Sequence, residues 1–596
     1  MRFNAMVKPV NIGAESFHEL IESNSYYVDK TPFIRTVFQE ITSKVLLITR
    51  PRRFGKTLTM STFLDFLAIN PDNPEDLSRQ KLWFKDTAIF SDKEFCRRYM
   101  GRFPVIFISL KSVYGSDFDK AYQQLGSTVY KMMFPFRYLA DSSKLSKDDI
   151  SYFQKLQNKE FLCDQKHQNN LVDSLEQLCC WLWMHHGVKP VVLIDEYDVP
   201  IAKAAERGYY REMVDLIGLF LGNALKTNNY LGRGILTGCL LPEKESIISG
   251  FNNFQNCNVL DSENDQLSQG IGFTEEETYE VLSYYGLDEY RDEVKNNYDG
   301  YNFGTVHMYC PWDVMNFCND NYRITDHTNK KITAKNYWIN TSGNAAIEDF
   351  MGYIKSTDVD KMQDLLDGKS ITANVKESLC YGDLKNHDPD DFWTLLLYTG
   401  YLTFDPAEIV ENCNETLYRL YIPNLEIRKC FASKLLDFFR NNPTMKNHTE
   451  ELIRSMFAGD AEQVENHLNR LLEKYVSIRD FTTNAPKETY YHSFMNGLLL
   501  NGSVEIREQE SNFESGNGYV DLIIKAQDSR RTIVIIEIQQ TGDEDQTDSI
   551  AVSAIEQIVD KKYAEPYVQR DKIKDVFAYG LCFCRKECSV ALKKLK

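Results

Sequence analysis

The chain has 596 residues, 43% of them apolar and 26% charged, with 86 acidic against 68 basic side chains and a net charge of −18. This is the make-up of ordinary globular domains, about four at ~150 residues each, and it excludes collagen-like, low-complexity and largely disordered classes. The acidic balance argues against a surface coated in nucleic acid, although a local basic face can survive inside it.

The N-terminus, MRFNAMVKPVNIGAESF, has neither a continuous apolar segment nor a small-residue cleavage site. No run approaches the ~18 apolar residues of a membrane span, so the expectation is a cytoplasmic chain without membrane contact. The 14 cysteines are scattered and include no CxxC pair, which reads as reduced thiols. Cys582, Cys584 and Cys588 form one cluster. It reads as buried thiols before a zinc site, which would need a fourth ligand.

In chain order, the first third alternates strand-like and helix-like text. Val45–Thr49, Pro104–Leu110, Val191–Ile194 and Gly234–Thr237 predict four buried strands separated by helices. That pattern implies a mostly parallel α/β sheet. Thr274 followed by Glu275, Glu276 and Glu277 predicts a helix start. Tyr-, Asn- and Gly-rich text follows, and the region to about 440 reads as short helices and loops. Residues 446–475 read as helical, with Leu452, Met456, Val464, Leu468 and Leu471 as the apolar marks. From about 486 the text predicts a helix, a strand pair and a final helix.

Between the first strand and its helix stands Arg50-Pro51-Arg52-Arg53-Phe54-Gly55-Lys56-Thr57. It fits G-x-x-x-x-G-K-[ST] except that Arg50 replaces the first glycine. The backbone from Arg53 to Leu58, through Phe54 and Gly55, would cradle phosphates at the helix start. Lys56 would reach the β- and γ-phosphates of ATP, and Thr57 would ligate Mg²⁺. Val191-Val192-Leu193-Ile194-Asp195-Glu196 supplies the second half. Asp195 would hold Mg²⁺ through water and Glu196 would act as general base. Thr237, ending the next strand, could sense the γ-phosphate or be a satisfied turn residue. Arg50, Arg52 and Arg53 could stabilise nucleotide charge, here or on a neighbouring subunit, or pair with Asp29 or Asp198.

These motifs, with Tyr27-Val28-Asp29-Lys30-Thr31, Asp195-Glu196-Tyr197-Asp198 and Leu236-Thr237-Gly238, resemble the AAA-ATPase-like proteins found in Bacteroidetes. Further matches are Ser249–Asn253, Tyr298–Tyr301, Asn340–Asn344, Gly400–Thr403 and Ile422–Asn424, so the resemblance spans almost the whole chain. It makes Arg50 a family feature. It implies a P-loop core at 1–262, a helical lid at 263–345, a winged-helix-like or helical connector at 346–475, and a PD-(D/E)XK nuclease-like α+β domain at 476–596. It also raises self-association, since AAA-like proteins commonly form rings with a trans arginine.

The C-terminal text carries its own signal. Tyr519–Ile524 and Thr532–Gln539 read as two strands, each with a carboxylate, Asp521 and Glu537, in an apolar run. Burying a carboxylate there is costly unless it is paired or metal-bound. Two on adjacent strands could hold Mg²⁺, as in PD-(D/E)XK nucleases, where the metal polarises a phosphodiester. Glu488 could complete the set, and Gln557 and Tyr563 resemble accessory residues of some branches. The departure is Gln539, where the family pattern expects Lys; Lys561 or Lys562 on the next helix could serve instead. Residues 560–596 hold ten Lys and Arg against five Asp and Glu, a local basic end that DNA or RNA contact would use or that is simply a solvated face.

Two functions follow. One is an ATP hydrolase gating a metal-dependent nuclease, in defence or mobile-element control. The other is a nucleotide-dependent switch whose nuclease-like domain is degenerate and serves binding.

Overall fold

The computed structural model describes residues 7–240, 254–261, 264–322, 332, 334–338, 361–362, 364–365, 368–379, 381–382, 388–411, 416–431, 443–475, 491, 495, 498–499, 506–515, 518–527, 531–584 and 587–596. The chain divides into two compact units, 1–350 with 370–429 and 351–369 with 430–596.

The first unit is built on five parallel strands: β1 (Val45–Thr49), β2 (Val105–Ser109), β3 (Val191–Asp195), β4 (Arg233–Gly238) and β5 (Phe254–Cys257). Their order is β2-β3-β4-β1-β5. Registers such as Leu47 opposite Leu236 and Ile108 opposite Ile194 bring the C-terminal ends of β1, β3 and β4 to one edge. Every residue of β1 and of β3 is buried, as expected where helices cover both faces of a parallel sheet. The four expected strands are present within a residue or two. β5 is additional: its text, Phe-Gln-Asn-Cys, is half polar and three of its residues are only partly buried. An edge strand of that kind leaves no apolar run to read.

A hairpin of β6 (Tyr301–Phe303) and β7 (Val306–Met308) follows, among helices Glu275–Tyr284, Arg291–Tyr298 and Pro311–Asn321. The expected helix start is a capping box. Thr274 Oγ1 accepts from the Glu277 amide at 3.3 Å, and Glu277 Oε2 accepts from the Thr274 amide at 2.8 Å. These helices share a core around Val281, Leu282, Val294, Tyr298 and Phe317. Where short helices and loops were expected, the chain also forms a small antiparallel sheet. Its strands are β8 (Ile371–Asn374), β9 (Thr403–Phe404), β10 (Val410–Glu411) and β11 (Thr416–Tyr421), with β11 pairing all the others.

The second unit has helices Pro443–Ala458 and Ala461–Tyr475 and a five-stranded sheet. The strands are β12 (Ile506–Ser515), β13 (Gly518–Ala526), β14 (Thr532–Gln540), β15 (Asp575–Cys584) and β16 (Glu587–Lys594), in that spatial order. Only the β14–β15 pair is parallel. The five apolar marks of 446–475 are all fully buried, and the expected helical stretch forms two helices. Gly459 breaks it at φ +72°, and Asp460 caps the second helix through the Gln463 amide at 3.1 Å. A side chain at Gly459 would also meet the Phe577 ring, so this position needs glycine twice over.

The two helices share a core with Leu522, Ile524, Ile536, Ile538, Tyr579 and Leu581 on one face of the sheet. Alternation therefore puts Asp521, Glu537 and Gln539 on the other face. Helix Thr547–Asp560 crosses that second face, its Ala551 and Ala554 packed close over Gly580 of β15.

Candidate functional sites

The phosphate loop runs from β1 into the helix Lys56–Leu67. Two of its residues are left-handed, Arg53 at φ +72° and Gly55 at φ +92°, which turns the chain sharply enough to aim the helix N-terminus back at the sheet edge. Thr57, at the second helical position, donates from Oγ1 to Asp195 Oδ2 at 2.8 Å. Thr237 at the end of β4 donates to Asp195 Oδ1 at 2.7 Å. Asp195 is fully buried, so these hydroxyls offset much of its desolvation cost. A hydroxyl beside a carboxylate is a hard-oxygen set of the kind Mg²⁺ takes, directly or through water.

Lys56 is 6% exposed and curls onto its own loop, donating to the carbonyls of Arg50 and Pro51, both at 2.9 Å. Glu196 has φ +51°, an unusual conformation for a side chain at a strand end. Burial raises its carboxyl pKa, Asp195 and Asp198 add to the rise, and Lys56 and Lys111 oppose it. Lys56, Thr57, Glu196 and Asp198 border one cavity of about 840 Å³, whose wall does not include Asp195 or Thr237. Its wall also includes residues 11–15, Lys111 and Trp312, which the sequence reading did not single out. Only their placement after a strand or beside the loop could have marked them.

The three arginines separate. Arg50 is fully buried and does not face the cavity. Its guanidinium donates to the carbonyls of Thr49 at 2.9 Å, Cys257 at 3.0 Å and Leu267 at 3.4 Å, and lies 4.8 Å from the Phe303 ring centroid. Both readings of Arg50 are thus replaced by a third: it ties the loop to the neighbouring strand end. Arg52 borders the cavity. Burial works against its charge, but Cys239, Tyr381, Asp198 and Glu196 outweigh it and its pKa rises. Arg53 stacks on Trp312, 4.1 Å from the ring centroid. Asp29 does not meet the loop arginines: it accepts from Thr31 and the Ala88 amide. Asp198 accepts from the amides of Cys239 at 2.9 Å and Leu240 at 3.2 Å. The Phe54 side chain packs against Tyr301 and Phe303, each 5.1 Å away, so it anchors the loop. Leu58 borders the cavity.

In the second unit, the antiparallel register Leu522 opposite Ile536 sets Asp521 beside Glu537. Asp521 Oδ2 accepts from the Ile538 amide at 2.8 Å. Glu537 is 4% exposed, and its Oε1 accepts from Gln557 on the crossing helix. Gln539 Nε2 donates to Gln557 Oε1 at 3.3 Å. Tyr563 is close enough for Gln557 to hydrogen-bond it and for the Glu537 and Asp521 charges to raise its pKa, although burial is the main cause. The structure thus gathers Asp521, Glu537, Gln539, Gln557 and Tyr563. Glu488 lies outside the described residues, as do 249–253 and 340–344.

Lys562 pairs with Glu565 at 3.3 Å, and both it and Lys561 are exposed past the helix end. Of the basic end, Lys594 is paired with Asp575. Cys582, Cys584 and Cys588 are buried thiols outside any disulfide, and burial raises Cys582 to about 11. Among the described residues no group of three His, Cys, Asp or Glu is arranged to hold a metal. The two carboxylates of the second unit are therefore a partial set.

Residues 11–248 match a family described as a predicted AAA-ATPase, and residues 486–592 match the PD-(D/E)XK nuclease superfamily. The chain pairs an AAA-ATPase-like domain with a PD-(D/E)XK nuclease-superfamily domain. It is also 23% identical over 594 residues to a protein of Azotobacter chroococcum mcd 1 described as an uncharacterized protein in the vnfD 5′ region, covering 98% of both chains. The five-stranded parallel sheet fits a P-loop α/β fold, and the mixed C-terminal sheet fits the α+β nuclease fold. No described helix is long and apolar enough to cross a membrane.

Proposed function

We propose that the AAA-ATPase-like domain binds ATP with Mg²⁺ and hydrolyses it, and that this cycle controls metal-dependent cleavage of nucleic acid by the nuclease-like domain. The observation that carries the first half is the hydrogen-bonded Thr57–Asp195–Thr237 cluster, whose Thr57 borders a cavity large enough for a nucleotide. Mg²⁺ held there would neutralise charge on the phosphates. Lys56 would leave its loop carbonyls for the β- and γ-phosphates. Glu196 would orient and deprotonate the attacking water, and Thr237 would register the γ-phosphate through Asp195. The second half rests on Asp521 and Glu537, which would hold a divalent cation with Glu488. DNA and RNA are both candidate substrates, and foreign or mobile elements a setting.

A second reading has its own support. Gln539 stands where the superfamily pattern has Lys, and it hydrogen-bonds Gln557. An amide supplies no positive charge there, which favours a nucleotide-dependent switch with a binding-only nuclease-like domain. Wild type, Lys56→Ala and Glu537→Ala separate the two readings when assayed for ATP hydrolysis and for cleavage of single- and double-stranded DNA and RNA with Mg²⁺ or Mn²⁺. Metal-dependent cleavage that Glu537→Ala abolishes supports the nuclease. ATP turnover lost in Lys56→Ala, with no cleavage under any condition, leaves the switch.

A further inference from the structure

Phosphoryl transfer spreads negative charge over the oxygens of the transferring group, and a cation placed there accelerates it by ~10³–10⁵ when an arginine supplies it. The sequence offered Arg50, Arg52 and Arg53 for this role. Arg50 is buried on carbonyls, Arg53 lies over the Trp312 ring, and Arg52 borders the cavity beside Asp198 and Glu196. Lys111 is a further cation at that cavity. It follows β2 by two residues, and the Leu110 amide before it donates to the Asp195 carbonyl at 2.9 Å. The chain therefore leaves β2 tight against the end of β3 that carries Asp195 and Glu196.

Lys111 borders the same cavity as Lys56, Thr57 and Glu196. Its ammonium is ion-paired with Glu15 of the N-terminal segment, which also borders that cavity. The two side chains are 54% and 59% exposed, so the pair is held by a screened contact that another anion can displace. The charges of Glu15, Glu196 and Asp195 all act on Lys111, the Glu15 hydrogen bond most strongly.

We propose that Lys111 is a catalytic cation supplied in cis, parked on Glu15 and transferred to the terminal phosphate when a nucleoside triphosphate enters the cavity. This rests on the ATP-hydrolysis reading. A γ-phosphate carries more charge than one carboxylate and draws Lys111 from it. Lysine acts there as a point charge. The rate per chain is then independent of chain concentration, because no neighbouring subunit completes the site.

Steady-state ATP hydrolysis by the full chain over a range of protein concentrations, with binding of a fluorescent ADP analogue, tests this on wild type, Lys111→Ala and Lys111→Arg. Lys111→Ala is expected to lower kcat by about a hundredfold or more while ADP affinity stays within about threefold. Lys111→Arg keeps at least about a tenth of the wild-type kcat. The proposal is overturned if Lys111→Ala turns over within about threefold of wild type, or loses ADP affinity in step with kcat. It is also overturned if specific activity rises steeply with protein concentration. A wild-type chain that binds ATP and never hydrolyses it removes the hydrolysis reading itself, an outcome visible before any variant is compared.

Discussion

The Arg50 guanidinium donates to the Cys257 carbonyl at 3.0 Å, joining the first residue of the phosphate loop to the last residue of β5. The contact explains why glycine is dispensable at that position. The loop has no space problem there that only glycine solves; it has an edge strand to hold. Arg50→Gly would restore the strict loop motif and lose the tie. It removes the side-chain donor from the carbonyls of Thr49 and Cys257 in a buried site, while Leu267 keeps the Gly270 amide, a cost of about 2–4 kcal/mol. The denaturant midpoint of the variant is expected to fall accordingly, with no gain in nucleotide affinity by equilibrium titration.

Glu196 gives a pH dependence of two opposite signs. Burial raises its pKa above the ordinary carboxylate value of ~4.3. A general base works only when ionised, so kcat is expected to fall as pH drops through that raised pKa. Stability runs the other way. A carboxyl whose folded pKa exceeds its unfolded one contributes most below the unfolded value and loses that contribution as pH rises through the folded value. Glu196→Gln should therefore raise Tm at neutral pH while removing turnover. Thermal melts and kcat profiles from pH 5 to 9 check both. A variant less stable than wild type at pH 8 would contradict the sign.

The chemistry-bearing parts of the fold were legible where apolar text ends in a polar signature. β1 and β3 are apolar runs, so their ends, and with them Lys56, Thr57, Asp195 and Glu196, are marked in the sequence itself. β5 and β12 were not legible. Phe254–Cys257 and Ile506–Ser515 are edge strands rich in polar residues, and an edge needs no apolar face on both sides. Tertiary contacts were hidden for the same reason. Nothing local distinguishes Arg50 on Cys257 from an arginine aimed at phosphate, or shows that Lys111 returns beside Glu196. The Gly459–Asp460 break was readable as a helix stop and a cap, but the apolar spacing on either side masks it.

Gly580 fixes how closely helix Thr547–Asp560 rests on the nuclease-like sheet. A methyl group there would collide with the Ala551 carbonyl and press on Ala554. The helix must then lift, and it carries Gln557, which bonds Glu537 and Gln539. Gly580→Ala is expected to cost about 1–3 kcal/mol in denaturant unfolding of the second unit. Any divalent-metal binding measured by calorimetry should weaken with it, since the Glu537 carboxylate loses the partner that orients it. Unchanged stability would mean the helix has room that the packing does not show.

Gln539 decides between the two readings of the nuclease-like domain. It lies on the same face as Glu537, two residues along β14, and reaches Gln557 at 3.3 Å. Gln539→Lys would bring an ammonium, on a chain one bond longer, within reach of the Gln557 carbonyl oxygen, so the acceptor can keep a donor. What changes is charge: a cation enters beside Asp521 and Glu537, where it can hold an attacking water and offset the negative phosphodiester. If the carboxylates still hold a metal, the substitution should raise Mg²⁺-dependent cleavage of nucleic acid by about tenfold or more, and Gln539→Lys with Glu537→Ala should abolish it. If the site has lost its metal through Asp521, Glu537 or Glu488, the added cation has nothing to assist. Gln539→Lys then cleaves no faster than wild type, and tighter nucleic-acid binding in a filter assay becomes its main effect, because a net positive charge at the site attracts phosphate whether or not the bond is broken.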